Sequence, residues 1–249
     1  NCDALLMTSV AWDSPNVILV SAGVGWLGDS VSCPRTGGAV IRDGWDWYAV
    51  KKLPNGQEFR RPEPSWLITP EGVTHAGNVT PLELQLPGNA NRGNATQAIA
   101  AAVSCYDIPV EDAARAAGTV DNVAGRYSTI THGEHQVHML LAKNPAGWQE
   151  ALSMVDRSAD GLVIAVNGQV ADGEDLSWLW DVRFESFEGI AVKAAGERSA
   201  DLGVRLLYGG IEHETIPDPI AAIEACPPGK VEVLANYTAF RDLKKALNK

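Results

Sequence analysis

A lysine stands where the chain could bind an anion. In the segment Lys143-Asn144-Pro145-Ala146-Gly147 it follows an apolar run and precedes a helix-forming stretch. An ammonium group beside the first N–H groups of a helix is a geometry that binds phosphate. A solvated lysine beside a proline that only begins the helix fits the same pattern. Spacing alone supports the two interpretations about equally.

The segment from Ala171 to Asp181 is rich in acidic and aromatic side chains. It contains Asp172, Glu174, Asp175, Asp181, Trp178 and Trp180. Acidic loops of this kind bind a metal ion or orient a histidine. Alternatively, Asp175 caps a helix by accepting the N–H of Ser177 or Trp178, and the tryptophans only pack. From the residues alone, the cap is the favoured interpretation.

Two further segments carry groups that suit a nucleotide. The amides between Gly88 and Asn94 could hydrogen-bond a base or a sugar, although asparagines also cap helices. Arg126 follows Gly125 at a predicted domain junction and could reach a phosphate, although surface arginines are commoner. Both signals are weak by themselves.

Other sites of common types are not indicated. His132, His135 and His138 lack the i, i+4 spacing of a helical metal pair and suit a hairpin better. The chain has no Gly-x-x-x-x-Gly-Lys-Ser/Thr loop, so it cannot by itself hold a nucleotide triphosphate in that way. The 4 cysteines are irregularly spaced and indicate reduced thiols rather than a disulfide framework.

The elements that would position these residues alternate after Gly125. Predicted strands cover 137–142, 162–166, 190–194 and 231–235, and predicted helices cover 146–155, 200–208 and 239–247. This order predicts an α/β domain with a mostly parallel sheet that is covered on both faces. Ligands of such sheets gather at the carboxyl ends of the strands, where the polar segments 143–145, 167–175 and 236–238 are expected.

The first part of the chain has another pattern. Short strands and turns are expected over the first 70 residues or so, then a strand from Thr80 to Leu86 and helices at 94–104 and 110–117. We place the domain boundary near residues 120–128.

Composition narrows the function classes. The chain has 249 residues, of which 45% are apolar, and its 20 basic and 31 acidic side chains give a formal charge of -11. That charge argues against a nucleic-acid binder, and no apolar run is long enough for a membrane span. We expect a soluble, cytoplasmic protein. Because the chain begins at Asn1, we also expect it to be a piece of a longer protein.

Three blocks occur in register along the second half of the chain. They are Lys143-Asn144-Pro145-Ala146-Gly147, then Ala171-Asp172-Gly173-x-Asp175-x-Ser177-Trp178-x-x-Asp181, and finally Asn236-Tyr237-Thr238-Ala239. Together they resemble the MurT family, the Mur-ligase-like subunit of lipid II isoglutaminyl synthase. The resemblance runs over essentially the whole chain. It implies the end of a Mur-ligase central ATPase domain at 1–124, followed by a Rossmann-like Mur ligase C-terminal domain at 125–249.

The amino-terminal half is similar to the family at two motifs. Asn1-Cys2-Asp3 resembles the start of Asn-Ala-Asp-Asp-Pro, and Gly88-x-x-Asn91-x-x-Asn94 resembles Gly-x-His-Asn-x-x-Asn. The sequence departs from these motifs at Ala4, Leu5 and Ala90. An insertion at about 28–66 resembles the family's zinc ribbon, but only Cys33 remains and Thr36 replaces its neighbouring cysteine. One thiolate cannot hold a structural zinc, so we expect a metal-free ribbon packed by Trp45, Trp47 and Trp66.

The resemblance implies a two-subunit amidotransferase. A GatD-type partner hydrolyses glutamine with a cysteine nucleophile, and the MurT-like subunit uses ATP with Mg²⁺ to activate the D-glutamate α-carboxylate of lipid II for attack by ammonia. Asp175 matches the aspartate thought to complete the partner's Cys-His pair. Asn91, Arg126, Lys143 and Asn144 match nucleotide- or phosphate-binding positions.

Trp178, Trp180 and Asp181 are then expected at the partner interface, and Asp181 is an alternative to Asp175 in the triad. Since the family's P-loop lies upstream of the matched region, this piece alone is expected to be inactive. Two alternatives stay open. The chain could be a non-catalytic docking module for a glutaminase, or an amino-acid-adding Mur ligase, although the segment from Ala171 to Asp181 argues against the latter.

Overall fold

The computed structural model describes residues 1–25, 27, 30–121, 127–187 and 191–248. The chain divides into two compact units, Asn1–Asp121 and Asn122–Lys249. Among the described residues, no helix is both long and apolar enough to cross a membrane.

The first unit is built on a small mixed sheet. Its elements are α1 (Leu5–Ala11), β1 (Val20–Ser21), β2 (Val40–Asp43), β3 (Asp46–Ala49), β4 (Trp66–Ile68), β5 (Gly72–His75), β6 (Asn78–Pro81), α2 (Asn89–Tyr106) and α3 (Val110–Gly118). The sheet order is β1-β4-β5-β6, with β1 parallel to β4 and the other pairs antiparallel. Ile99 of α2 and Ala114 of α3 pack with Trp66 and Val73 in its core.

A buried ion pair ties the start of the chain to this unit. The Asp3 carboxylate is 2% exposed and accepts hydrogen bonds from Arg61 Nε at 2.7 Å, from the Ser21 hydroxyl and from Gly23 N. A carboxylate so far from water is stable only when its charge is paired and its oxygens are hydrogen-bonded. Asp3 therefore holds β1 and the segment around Arg61 to the same point.

The segment expected to resemble a ribbon has a hydrophobic core. Strands β2 and β3 form an antiparallel hairpin, and Cys33, Trp47 and Phe59 lie in one buried cluster. The turn after Cys33 closes with a hydrogen bond from Gly37 N to Cys33 O at 2.8 Å, and Thr36 Oγ1 accepts from Gly38 N. The expected packing role of Trp45 is wrong, because its side chain is 68% exposed.

The strand expected from Thr80 to Leu86 is also wrong over most of its length. Strand β6 ends at Pro81, which has no N–H to continue a ladder. Leu82 beyond it is 5% exposed and packs in the core of the unit without being in a strand. The alternation of apolar residues there reflects burial in a loop.

The second unit has the predicted mostly parallel sheet. Its elements are β7 (Tyr127–His132), β8 (His135–Leu141), α4 (Pro145–Met154), β9 (Gly161–Ala165), 3₁₀ helices at Ser177–Trp180 and Phe184–Phe187, β10 (Val192–Ala195), α5 (Ser199–Tyr208), β11 (His213–Thr215), α6 (Pro219–Glu224), β12 (Gly229–Ala235) and α7 (Tyr237–Leu247). In the described part of the unit, the order is β11-β10-β9-β12-β8-β7. Only β7 is antiparallel, in the hairpin that brings His132 opposite His135.

Buried side chains lie on both faces of this sheet, as the apolar strands predict. On one face Trp148 of α4, Leu202 of α5 and the 3₁₀ helices pack on Leu162 and Ile164. On the other face α6 and α7 pack on the alternate positions of β12 and β9. The last strand, β12, lies between β8 and β9 and is parallel to both. The carboxyl ends of three strands therefore meet at one edge.

Gly196 fixes the path from β10 into α5. Its φ is +91°, and a Cβ there would clash with the carbonyl oxygen of Val166 and lie 2.7 Å from the Val166 nitrogen. We expect Gly196→Ala to lower the free energy of unfolding by about 3 kcal/mol, from backbone strain and the clash together. Chemical denaturation would measure it.

Gly173→Ala is the matched control, since Gly173 has a φ of +85° and no atom lies within 4 Å of the place that a Cβ would take. Strain alone should cost about 1 kcal/mol there. Equal losses in the two variants would show that the close approach of Val166 to Gly196 is not a constraint on the fold.

Candidate functional site

The carboxyl ends of β9 and β12 are joined by a pair of buried asparagines. Asn236 Oδ1 accepts the N–H of Asn167 at 3.0 Å, and Asn236 Nδ2 donates to Asn167 O at 2.7 Å. Asn167 Oδ1 in turn accepts the N–H of Glu197, after β10, at 3.0 Å. We call Asn167 and Asn236 the amide clasp. It fixes the loops that leave three strands.

The clasp leaves helix α7 without a cap of its own. Asn236 is the N-cap residue of α7, but its side chain makes no capping hydrogen bond. Asp172 takes that role, because its carboxylate accepts the N–H of Thr238 at 3.1 Å and the Thr238 hydroxyl. A carboxylate at this end of a helix is also favoured by the helix dipole. The acidic loop is thereby attached to α7.

Lys143 and Asn144 lie between β8 and α4, at the same edge. The Lys143 ammonium is exposed and lies 4.6 Å from the centroid of the Tyr237 ring, a cation–π contact. Asn144 is the N-cap of α4 and accepts the N–H of Gly147 at 2.8 Å, with Pro145 in the first turn. Both interpretations of the sequence are thus compatible with the structure. A helix begins here, and a cation is held beside it.

Asp175 lies elsewhere, beside α5. Its carboxylate accepts the N–H of Ser177 at 2.8 Å, which is the hydrogen bond that the capping interpretation expects, although the N-cap residue of the first 3₁₀ helix is Leu176. Hydrogen bonds from the backbone and then the side chain of Ser177 hold the pKa of Asp175 below its ordinary value. The side chain stays exposed and ionised at neutral pH, and it lines an open groove of about 510 Å³.

The residues expected at a partner interface differ in exposure. Trp178 is half-buried and stacks on Trp148 at 5.6 Å between ring centroids, at the edge of the core. Trp180 is 56% exposed. Asp181 is exposed and follows the 3₁₀ helix as its C-cap. Among the three, Trp180 offers an apolar surface to solvent.

A buried arginine holds this segment to α5. Arg205 is 5% exposed and donates to the carbonyl oxygens of Leu179 at 3.1 Å and Val182 at 2.7 Å, and to Glu185 Oε1 at 2.7 Å. Its guanidinium also lies 5.6 Å from the Trp180 ring centroid. Arg205 therefore joins α5 to the last turn of the 3₁₀ helix at Leu179 and to the segment after it at Val182.

Of the other predicted residues, one belongs to the first unit and one lies outside the described residues. Asn91 is in the first turn of α2 in the first unit, and its Nδ2 donates to Pro87 O at 2.6 Å. Arg126 lies outside the described residues. His138 lies 3.4 Å from the buried Glu232. The described residues contain no group of three or more His, Cys, Asp or Glu side chains placed to hold a metal ion.

The amide clasp and Arg205 are the features that sequence reasoning missed. The pattern of strands puts Asn167 and Asn236 at strand ends but gives them no role, and a contact between residues 69 positions apart has no local signal. The sequence did contain a local signal for Arg205. It lies three residues after Leu202 and next to Leu206, on the buried face of an amphipathic helix. A charged residue at such a position requires partners.

We expect Asn236→Ala to lower the free energy of unfolding by about 2–4 kcal/mol, since it leaves both buried backbone groups of Asn167 unpaired. Asn144→Ala is the control, because it removes a helix cap at an exposed position and should cost about 1 kcal/mol. Denaturant titration of both variants measures the difference. Similar losses would mean that the hydrogen bonds of the amide clasp stabilise the fold no more than an exposed helix cap does.

The sequence comparisons point to one family. Residues 141–240 match the family model described as MurT ligase C-terminal. The chain is 29% identical over 136 residues to the lipid II isoglutaminyl synthase (glutamine-hydrolyzing) subunit MurT of Streptococcus pneumoniae, covering 50% of this chain and 30% of that protein. It is 30% identical over 141 residues to the subunit of the same name from Staphylococcus aureus, and this match covers 53% of this chain and 32% of that protein. The chain thus spans about a third of the length of these relatives.

Solved structures agree on the fold. A pseudomurein peptide ligase type C from Methanothermus fervidus superposes with a TM-score of 0.62 at 16% identity, over 87% of this chain and 48% of that one. The UDP-N-acetylmuramate-alanine ligase MurC of Thermotoga maritima superposes with a TM-score of 0.51 at 14% identity, over 75% of this chain and 46% of that one. At these identities the likeness concerns the fold alone. The chain has a Mur-ligase fold, and its residues 141–240 are similar to the C-terminal domain of MurT ligases.

Proposed function

We propose that this chain is part of a subunit of lipid II isoglutaminyl synthase, which amidates the D-glutamate α-carboxylate of the peptidoglycan precursor with glutamine and ATP. The observation that carries the proposal is an exposed, ionised Asp175 beside an open groove, within a domain that matches the MurT C-terminal model. In the reaction, the α-carboxylate oxygen takes the γ-phosphoryl group of ATP and ADP leaves. Ammonia then attacks the acyl carbon, and phosphate leaves as the C–N bond forms.

Asp175 would act in the step that supplies ammonia. A GatD-type glutaminase partner carries a cysteine and a histidine, and a carboxylate that accepts the second imidazole N–H orients the ring and stabilises its protonated form. An aspartate with a lowered pKa suits this role because it stays charged throughout. The hydrogen bond from Ser177 fixes the direction of the carboxylate without burying it.

Lys143 would act in the step that uses ATP. Its exposed ammonium is held over Tyr237, at the edge where helices α4 and α7 begin. A fixed positive charge there fits the phosphoryl groups of ATP with Mg²⁺ or the acyl phosphate, whose negative charge it would stabilise. Asn91 and Arg126 are proposed, from the resemblance alone, to contact the nucleotide. In this proposal Asn144 supports the site by capping α4.

The alternative is a docking module without catalytic residues. It is favoured by one observation, since Asp175 already has a structural role as the acceptor of the Ser177 N–H. In that case the partner would carry all groups needed for glutamine hydrolysis, and the groove would only contribute contact area. The two functions differ in what the loss of one charge does to the partner's activity.

Asp175→Asn should lower glutamine hydrolysis by the complex of the full-length protein with its glutaminase partner on the order of 10³-fold or more. An asparagine oxygen can accept the Ser177 N–H as the aspartate oxygen does, so the local fold should persist, whereas its neutral amide cannot stabilise an imidazolium. Initial rates of glutamate release measure the effect, and gel filtration checks that the complex forms.

Asp181→Asn is the matched control, as it neutralises an exposed carboxylate at the other end of the same 3₁₀ helix. Its activity should stay within about 3-fold of the wild type. If Asp175→Asn hydrolyses glutamine normally, the docking module is the better description. If only Asp181→Asn is inactive, Asp181 completes the triad.

Lys143→Met should lower ATP-dependent amidation of lipid II by the full complex about 10²-fold, because one preorganised positive group is lost. Glutamine hydrolysis should persist. Lys245→Met removes an exposed lysine from the last turn of α7 and serves as the control. Equal amidation rates in the two variants would assign Lys143 to the solvated surface.

A further inference from the structure

Helix α5 has an unusual outer face. Its inner side buries Leu202 and Leu206, as an amphipathic helix does. On its outer side, however, Val204, Leu207 and Tyr208 are 48%, 68% and 76% exposed. Such positions are normally polar. Exposed apolar side chains that lie together mark interaction sites more often than single ones do.

An aromatic side chain from the acidic segment extends this surface. Trp180 is 56% exposed, and its ring meets Tyr208 edge to face with 5.5 Å between centroids. We call Trp180, Val204, Leu207 and Tyr208 the α5 face. Tryptophan and tyrosine are enriched among the residues that dominate binding energy at protein interfaces.

The α5 face is continuous with the groove that contains Asp175. The groove of about 510 Å³ runs between the acidic loop and the first turns of α5, and Trp180 and Val204 line it together with Asp175. A molecule that fills the groove and reaches the Asp175 carboxylate therefore contacts part of the α5 face.

The charges in the groove select the kind of occupant. Glu174, Asp175 and Asp201 line it, and the one cation among its lining residues, Arg198, donates to Asp201 Oδ2 at 2.8 Å. The hydrogen bond to Asp201 raises the pKa of Arg198, so the pair stays ionised and compensates itself. The excess charge is negative. It complements a histidine, lysine or arginine that is flanked by apolar side chains.

The same charges argue against a second copy of this chain. In a symmetric dimer across the α5 face, each acidic groove would meet an identical acidic groove, because two-fold interfaces bring the same surface of both subunits together. Like charges brought together in this way cost free energy. A partner with a basic or imidazole-bearing surface avoids that cost.

The central ring of the α5 face is already ordered. The guanidinium of Arg205 lies beneath Trp180, and Arg205 also holds the carbonyl groups of Leu179 and Val182 on either side of it. Ordering of side chains opposes association, so a ring that is fixed beforehand binds at lower entropic cost.

We propose that the α5 face is the docking surface for the glutaminase subunit, which rests apolar side chains on Trp180, Leu207 and Tyr208 and directs an imidazole or basic group into the groove toward Asp175. The inference rests on the proposed function and adds the surface through which it operates. It assigns binding to residues outside the acidic segment, and it makes Arg205 the residue that positions Trp180.

Tyr208→Ala tests the docking surface in the full-length protein. Tyr106→Ala is an unusually close control, since Tyr106 and Tyr208 are each the last residue of a helix and each 76% exposed. We expect Tyr208→Ala to raise the Kd for the glutaminase subunit about 10-fold or more, and Tyr106→Ala to leave it within about 2-fold. Isothermal titration calorimetry gives the Kd, and circular dichroism confirms that both variants fold.

Leu207→Ala is the second variant, and it should also weaken the complex several-fold. If the glutaminase binds both α5 variants as tightly as the wild type while Asp175→Asn still abolishes hydrolysis, the docking surface is wrong and the proposed function stands. If the glutaminase does not bind the wild-type protein, both proposals fail. If sedimentation shows a homodimer that Tyr208→Ala dissociates, the occupant is a second copy and the inference is overturned.

Discussion

The position of strand β12 determines most of what the second unit can do. The strand is the last in sequence yet lies between β8 and β9, hydrogen-bonded in parallel to both, so its backbone groups are satisfied on either side. Because it is buried from Val231 to Ala235, a shift in register would place Glu232 or Asn236 among apolar side chains. The register in turn brings the Asn236 side chain to the backbone of Asn167, and the loops after β8, β9 and β12 leave from one edge.

Polar side chains at this edge form hydrogen bonds with neighbouring segments rather than within their own helices or loops. Asn236 gives up the capping of α7 to bind the backbone of Asn167, and Asp172 caps α7 from a loop 66 positions away. Each exchange replaces a local hydrogen bond by one that joins two segments. The edge is therefore rigid before any ligand arrives, which is the condition under which fixed charges stabilise a reacting group most effectively.

Helix α5 departs in two ways from the usual amphipathic pattern, in which apolar residues are buried and charged residues are exposed. Its one arginine is buried, where it donates to the carbonyl oxygens of Leu179 and Val182, whereas three of its apolar residues face solvent. Burying a guanidinium is stabilising only with such partners. The two exceptions are linked by Trp180, which rests on Arg205 and meets Tyr208. The helix thus both positions the acidic segment and extends its surface.

The sequence by itself determined the α/β class, the alternating strands and helices of the second unit and the resemblance of its C-terminal part to MurT ligases. These follow from periodicity, capping residues and motifs, all of which act over about ten residues. Tertiary structure alone decided that β12 enters between β8 and β9, that Asn167 meets Asn236, and that Trp178 packs inward while Trp180 faces solvent. The physical reason is that these outcomes depend on pairing and burial between segments far apart in the chain, whose free energy no local pattern contains.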